Sequence, residues 1–95
     1  MYATRSLFPL GHVVATPGAL DALQDAAQNA QEFLARHVHG DWGELTDDDW
    51  RENNFSLTRA LRLLSTYRLT NGEKIWVLTE ADRSATTLLL PSGAL

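Results

Sequence analysis

Two short stretches of this 95-residue chain gather residue types that can do chemistry. His37-Val38-His39-Gly40-Asp41 spaces two imidazoles and a carboxylate at i, i+2 and i+4. On an extended backbone all three would share one face, where His and Asp bind zinc or another divalent ion. On a helix, i and i+2 point about 200° apart, and the residues before His37 read as helix. The helical reading makes these histidines partners of the terminal carbonyls, and no metal site is assigned. The overlapping Gly40-Asp41-Trp42-Gly43 sets a carboxylate and an indole between two glycines. That is the composition of a tight corner, which either buries Trp42 or turns it and Asp41 toward a partner.

The densest polar run is Thr79-Glu80-Ala81-Asp82-Arg83-Ser84-Ala85-Thr86-Thr87. Read as turn chemistry, Asp82 and Ser84 bond the backbone and Glu80 or Asp82 pairs with Arg83. Read as a site, Arg83 grips a phosphate or carboxylate with two parallel donors, and Glu80 or His37 serves as general base. Spacing assigns no nucleophile–base pair. The absence of cysteine excludes a thiolate nucleophile, a disulfide framework and cysteine-based zinc sites. No Walker-type loop, dinucleotide-binding glycine pattern, HExxH or GxSxG occurs. Trp50, set among acids, reads as a half-exposed interface anchor. Trp76 reads as part of a strand.

Charge is distributed unevenly. The net charge is −4, yet Asp41 to Glu52 holds six carboxylates against the single cation Arg51. The remainder of the chain is therefore near neutral. Asn53 to Gly72 has no acid and carries Arg59, Arg62 and Arg68. An acidic patch followed by a basic segment is either a solvated helix start or a surface that meets a basic partner. The overall acidity argues against nucleic-acid binding and is too slight for a DNA mimic. No apolar run reaches the roughly 18 residues of a membrane span, and no secretory signal opens the chain, so a cytoplasmic protein is expected.

These residues must be positioned by local structure, and the sequence marks much of it. Residues 1–9 lack periodicity and read as a flexible arm, 10–91 as one domain and 92–95 as a tail. Gly11 to Ala15 is a short strand around Val13-Val14. Thr16-Pro17 opens a first helix of about ten residues. Asn29-Ala30-Gln31-Glu32 matches a capping box, so a second helix starts at Ala30, buries Phe33, Leu34 and Val38, and ends at Gly40. Thr46 with Asp47-Asp48-Asp49 begins a third, which includes Trp50 and is expected to kink on its way toward Arg59. From Leu63 the period becomes two. Asn71-Gly72 signals a hairpin whose two turn residues both take positive φ. Ile75 to Thr79 and Thr86 to Leu90 follow as strands, the last stopped by Pro91. The expected fold is α+β: a three- to four-stranded antiparallel sheet, with a C-terminal meander, and two or three short helices on one face.

The stretches ATPGAL (15–20), Arg36-His37 with GDWG (40–43), Asn54, and WVLTEADRSATTLLLP (76–91) resemble a family of small bacterial proteins. Its members carry the label "plasmid-related protein" and travel on plasmids and integrated mobile elements. The likeness extends over roughly Leu10 to Pro91, with the GDWG and TEADRS segments its most distinctive parts. It implies a genetic context and supplies no mechanism. His39 and the Asp47-Asp48-Asp49 run lie outside the pattern.

Two functions follow as expectations. The first is a non-catalytic interaction module, an accessory of a mobile element that binds a host or element-encoded protein, inhibition of a host defence system being one such role. The second is a small enzyme or ligand-binding domain built on His37, Asp41, Glu80, Asp82 and Arg83. A basic nuclease fits poorly, since only Arg59, Arg62 and Arg68 offer cations for RNA. The candidate binding residues are His37, Asp41, Trp42, Trp50, Glu80, Asp82, Arg83 and Ser84. No cofactor is expected, and a homodimer through an exposed first or last strand is open.

Overall fold

The computed structural model describes residues 6–93. Each of its helices begins where a side chain supplies an acceptor for the open first turn. The Thr16 hydroxyl accepts from the Ala19 N–H at 3.2 Å, and Pro17 opens α1 (Pro17–Ala26). Asn29 Oδ1 accepts from the Gln31 N–H at 2.9 Å at the start of α2 (Ala30–Val38). Between them Ala27 takes the left-handed conformation, φ 55°, so the two helices are separate. Thr46 caps α3 (Asp47–Arg59), whose first turn sets three aspartates at the positive end of the helix dipole. α3 continues as one helix to Arg59, as expected.

Four strands form one sheet: β1 (His12–Ala15), β2 (Leu63–Arg68), β3 (Lys74–Thr79) and β4 (Ala85–Leu89), in the order β1-β4-β3-β2. The β2-β3-β4 meander is antiparallel, as its alternation predicts, whereas β1 pairs with β4 in parallel. The sheet is thus mixed, for a topological reason. The three helices carry the chain back to the starting end, so β1 and β2 run the same way; two hairpins then turn β4 into that direction too. The fold is α+β.

The β2–β3 turn differs from the two-residue hairpin expected at Asn71-Gly72. Gly72 N–H donates to Leu69 O at 2.9 Å and Leu69 N–H to Glu73 O at 2.7 Å, and only Gly72 has positive φ. This is a type I turn followed by a left-handed glycine bulge, which Asn71 enters at negative φ.

Strand parity selects the core. Leu63 and Tyr67, Ile75 and Val77, and Leu88 point to the helices. They meet Ala19, Ala22 and Leu23 of α1 and Phe33 and Leu34 of α2. A second cluster, Phe8, Val38, Trp42 and Leu63, with Leu57 and Trp50 against it, joins α3 to the sheet. The expected arm over 1–9 is partly outside the described residues. Within them, Leu7 N–H donates to Val38 O at 2.8 Å and Phe8 is buried. Of the expected tail, Ser92 and Gly93 belong to a 3-10 turn with Pro91, and Ala94 and Leu95 fall outside. Among the described residues no helix is long and apolar enough to cross a membrane.

Candidate functional site

Helical backbone at Arg36 to Val38 sends His37 inward and His39 outward. His37 is fully buried, while His39 is exposed and its Nδ1 lies 2.7 Å from Ala35 O. No group of three or more metal-ligating side chains occurs among the described residues.

His37 anchors a chain of buried polar groups. Its Nδ1 is 2.6 Å from Ser65 Oγ and its Nε2 2.8 Å from Thr79 Oγ1; Thr79 Oγ1 is 2.7 Å from Thr86 Oγ1. The far end sets the direction of every proton. Thr86 donates to the Leu10 carbonyl at 2.8 Å, so it accepts from Thr79. Thr79 has then spent its one proton and accepts from His37 Nε2–H, which leaves Nδ1 to accept from the Ser65 hydroxyl. His37 is therefore the neutral Nε2–H tautomer. Burial, with a smaller push from the Arg83 charge, lowers its pKa to about 4. Phe8 and Trp42 close over the imidazole edge-to-face at 5.2 and 5.6 Å. A histidine with both nitrogens engaged and no exposure has no path to a substrate proton.

The GDWG corner is fastened to the free edge of β2. Thr66 N–H donates to Trp42 O at 3.1 Å and Glu44 N–H to Thr66 O at 2.6 Å, with Gly43 bridged to Thr66 between them. Gly43 has φ 77°, and a Cβ there would overlap the Thr66 carbonyl, so only glycine fits. Trp42 is fully buried and donates its Nε1–H to Asn54 Oδ1 at 3.0 Å; Trp50 is part-buried and donates to Gly43 O at 3.2 Å. Both indoles therefore tie the corner to α3. Asp41 accepts from Arg36 Nε at 2.7 Å and from the Gly43 N–H at 3.1 Å. The hydrogen bond from Arg36 holds its carboxyl below the usual carboxylate range. Tyr67 O–H donates to Asp41 O at 2.6 Å, and burial pushes the phenol pKa up.

The β3–β4 turn spends its polar groups at home. Asp82 accepts from the Ser84 N–H at 3.0 Å, and the hydroxyl and N–H of Ser84 lower its pKa. Glu80 pairs with Arg62 at 3.4 Å. Arg83 sits at φ 62° and turns its guanidinium toward carbonyls. Its Nη1 donates to Leu61 O at 2.7 Å and to Glu80 O and Ala81 O at 3.1 Å, and Nη2 reaches Ser56 O at 3.4 Å. Arg83 thus binds the C-terminal end of α3 to the turn. Both terminal nitrogens, the pair that would grip an anion end-on, are used on backbone.

The candidate residues consequently fall into separate groups. The GDWG and TEADRS segments share no hydrogen bond or ion pair among the described residues. Phe8 connects them from inside, its ring 6.2 Å from that of Trp42 and 5.6 Å from the Arg83 guanidinium carbon. Ser65 and Phe8 were missed from the sequence, and Thr79 and Thr86 were seen only as members of the polar run, without a role of their own. Ser65, Thr79 and Thr86 had a signal: each is a polar residue at an inward strand position, and buried polar groups need partners. Phe8 had none.

The outward face of α3 is differently built. Asp48, Arg51, Glu52, Phe55 and Arg59 recur at i, i+3, i+4, i+7 and i+11, opposite the buried Asn53 and Ser56. Phe55 is 49% exposed, and the Arg59 guanidinium lies 4.9 Å from its ring centroid. Asp41, Glu44 and Asp48 have cationic partners. Among the described residues Asp47, Asp49 and Glu52 have none within ion-pair distance. In comparisons with known proteins, no family model, curated protein or solved structure matches the chain.

Proposed function

We propose that this chain is a non-catalytic protein-interaction module and that α3 presents its binding surface. The observation that carries the reading is the stripe of Asp48, Glu52 and Phe55, an exposed aromatic beside carboxylates, one of which has no cation to neutralise it. Such a surface suits a partner with an apolar contact ringed by Lys or Arg. The capping role of the aspartates explains their place at the helix start, but it asks nothing of Glu52 or Phe55, one and two turns further on. The resemblance to mobile-element proteins supports a host or element-encoded partner, a host defence protein among the candidates. The alternative, a ligand site on His37, Asp41, Glu80, Asp82 and Arg83, has less support because those groups are committed to internal bonds.

The test is affinity capture from cells carrying the parent element, comparing the wild type with Glu52→Lys/Phe55→Ser. A specific partner is expected with the wild type, and the two purified proteins should bind at least tenfold more weakly in the double variant, a loss of about 1.4 kcal/mol. A partner held equally by both proteins, or no partner at all, would overturn the reading.

A further inference from the structure

The two edges of the sheet are treated in opposite ways. At β2 the outward backbone groups of Leu64 and Thr66 are engaged: Asn53 accepts from Leu64 N–H and donates to Leu64 O, and the corner takes both groups of Thr66. At β1 no described residue does this. His12 N–H donates to Ser84 O and Thr16 N–H to Leu88 O, each at 3.0 Å, so alternate residues face β4. Val13 and Ala15 consequently turn their N–H and C=O outward. Apart from its shortness, the strand has none of the features that guard a bare edge, having no proline, lysine or bulge. Its valines, Val13 and Val14, are 46% and 50% exposed.

We propose that a second copy of the chain covers this edge. β1 pairs antiparallel with β1 of the other copy about a two-fold axis at Val14, giving one continuous eight-stranded sheet. The outward groups match themselves: Val13 exchanges both hydrogen bonds with Ala15 of the other copy, and Ala15 with its Val13. The two Val14 side chains then meet as a non-hydrogen-bonded pair on the face away from the helices. An axis at Val13 would need Gly11 as a pairing residue, and Gly11 at φ 67° is not extended. Charge also favours a second copy. Leu10 to Leu20 contains no acid, and the acidic stretch lies at the opposite edge of the sheet. Two-fold pairing holds the two acidic edges roughly 30 Å apart at about 4.8 Å per strand, well beyond a Debye length of about 8 Å. Four strand residues per copy make an interface at the small end of the specific range, with affinity on the order of micromolar or weaker. The proposal is independent of the function assigned to α3.

Sedimentation equilibrium of the purified chain, from roughly 10 μM to 1 mM, tests it. The average mass should rise from one protomer toward two. Val14→Lys and Val14→Glu, each folded by circular dichroism because the side chain is half in solvent, should stay at protomer mass. An equimolar mixture of the two should recover the dimer, as Lys and Glu face each other across the axis. Phe55→Ser, on the other edge, should dimerise like the wild type whether or not α3 binds a partner. Protomer mass throughout for the wild type overturns the proposal, including the case in which the edge serves an extended segment of another protein. So does a dimer undiminished by Val14→Lys, or a mixture no more associated than either variant alone.

Discussion

His37 is the residue in which chemistry and stability meet. Its neutral form is required by the Ser65–His37–Thr79–Thr86 bonds and by burial, and its folded pKa of about 4 lies below the ordinary 6.5. Between those values the unfolded chain binds a proton that the folded chain does not. Folding free energy is therefore intact above pH 6.5 and falls as the pH drops toward 4. At 1.36 kcal/mol per unit the loss is about 3 kcal/mol. Urea unfolding at pH 7 and pH 4 should show it, and His37→Gln, although less stable at neutral pH, should lose most of that difference. An unchanged pH dependence in the variant would assign the effect elsewhere. Asp41, held below its normal pKa by Arg36, acts in the same direction at lower pH, where protonation removes the ion pair.

Among the elements, α3 is unusual in burying almost nothing apolar and yet being held firmly. Leu57 packs on the second cluster, and Asn53 completes the backbone hydrogen bonding of β2 at Leu64. Arg83 and the two indoles bind the helix to the corner and to the β3–β4 turn. Asn53→Ala should cost about 2–3 kcal/mol, because two bonds are lost and the Leu64 groups are left poorly satisfied. It also uncovers the second sheet edge, so light scattering on heating should rise above that of the wild type. A change under 0.5 kcal/mol in denaturant unfolding would show that water replaces the amide. Helix starts were legible in the sequence because capping is local chemistry, whereas the position of α3 at the sheet edge depends on Asn53, an ordinary residue in mid-helix.

At the scale of the whole molecule, the acidic stretch and the bare strand occupy opposite edges of one sheet. The two proposed associations therefore leave each other's surfaces open, and a dimer would carry two α3 faces. They also respond differently to salt. Binding through α3 should weaken by roughly tenfold between 50 mM and 500 mM salt, since exposed charges are screened. Dimerisation through backbone bonds and valines should change little. Titrations of the dimer and of the partner complex at both salt concentrations would check this, and equal sensitivity would contradict the division.

The sequence by itself determined the α+β class, the three helix starts, the strand alternation and the unequal placement of charge, all of which depend on neighbours within a few residues. Tertiary structure alone decided the parallel pairing of β1, the burial of Phe8 and the destinations of His37, Asp41 and Arg83. Those depend on contacts between residues distant in the chain: Thr86 with Leu10, Arg83 with Ser56, His37 with Thr79. The polar residues that first suggested a reactive site were correctly seen as needing partners. Only the fold revealed that Arg83 takes backbone carbonyls and His37 takes buried hydroxyls of the same chain.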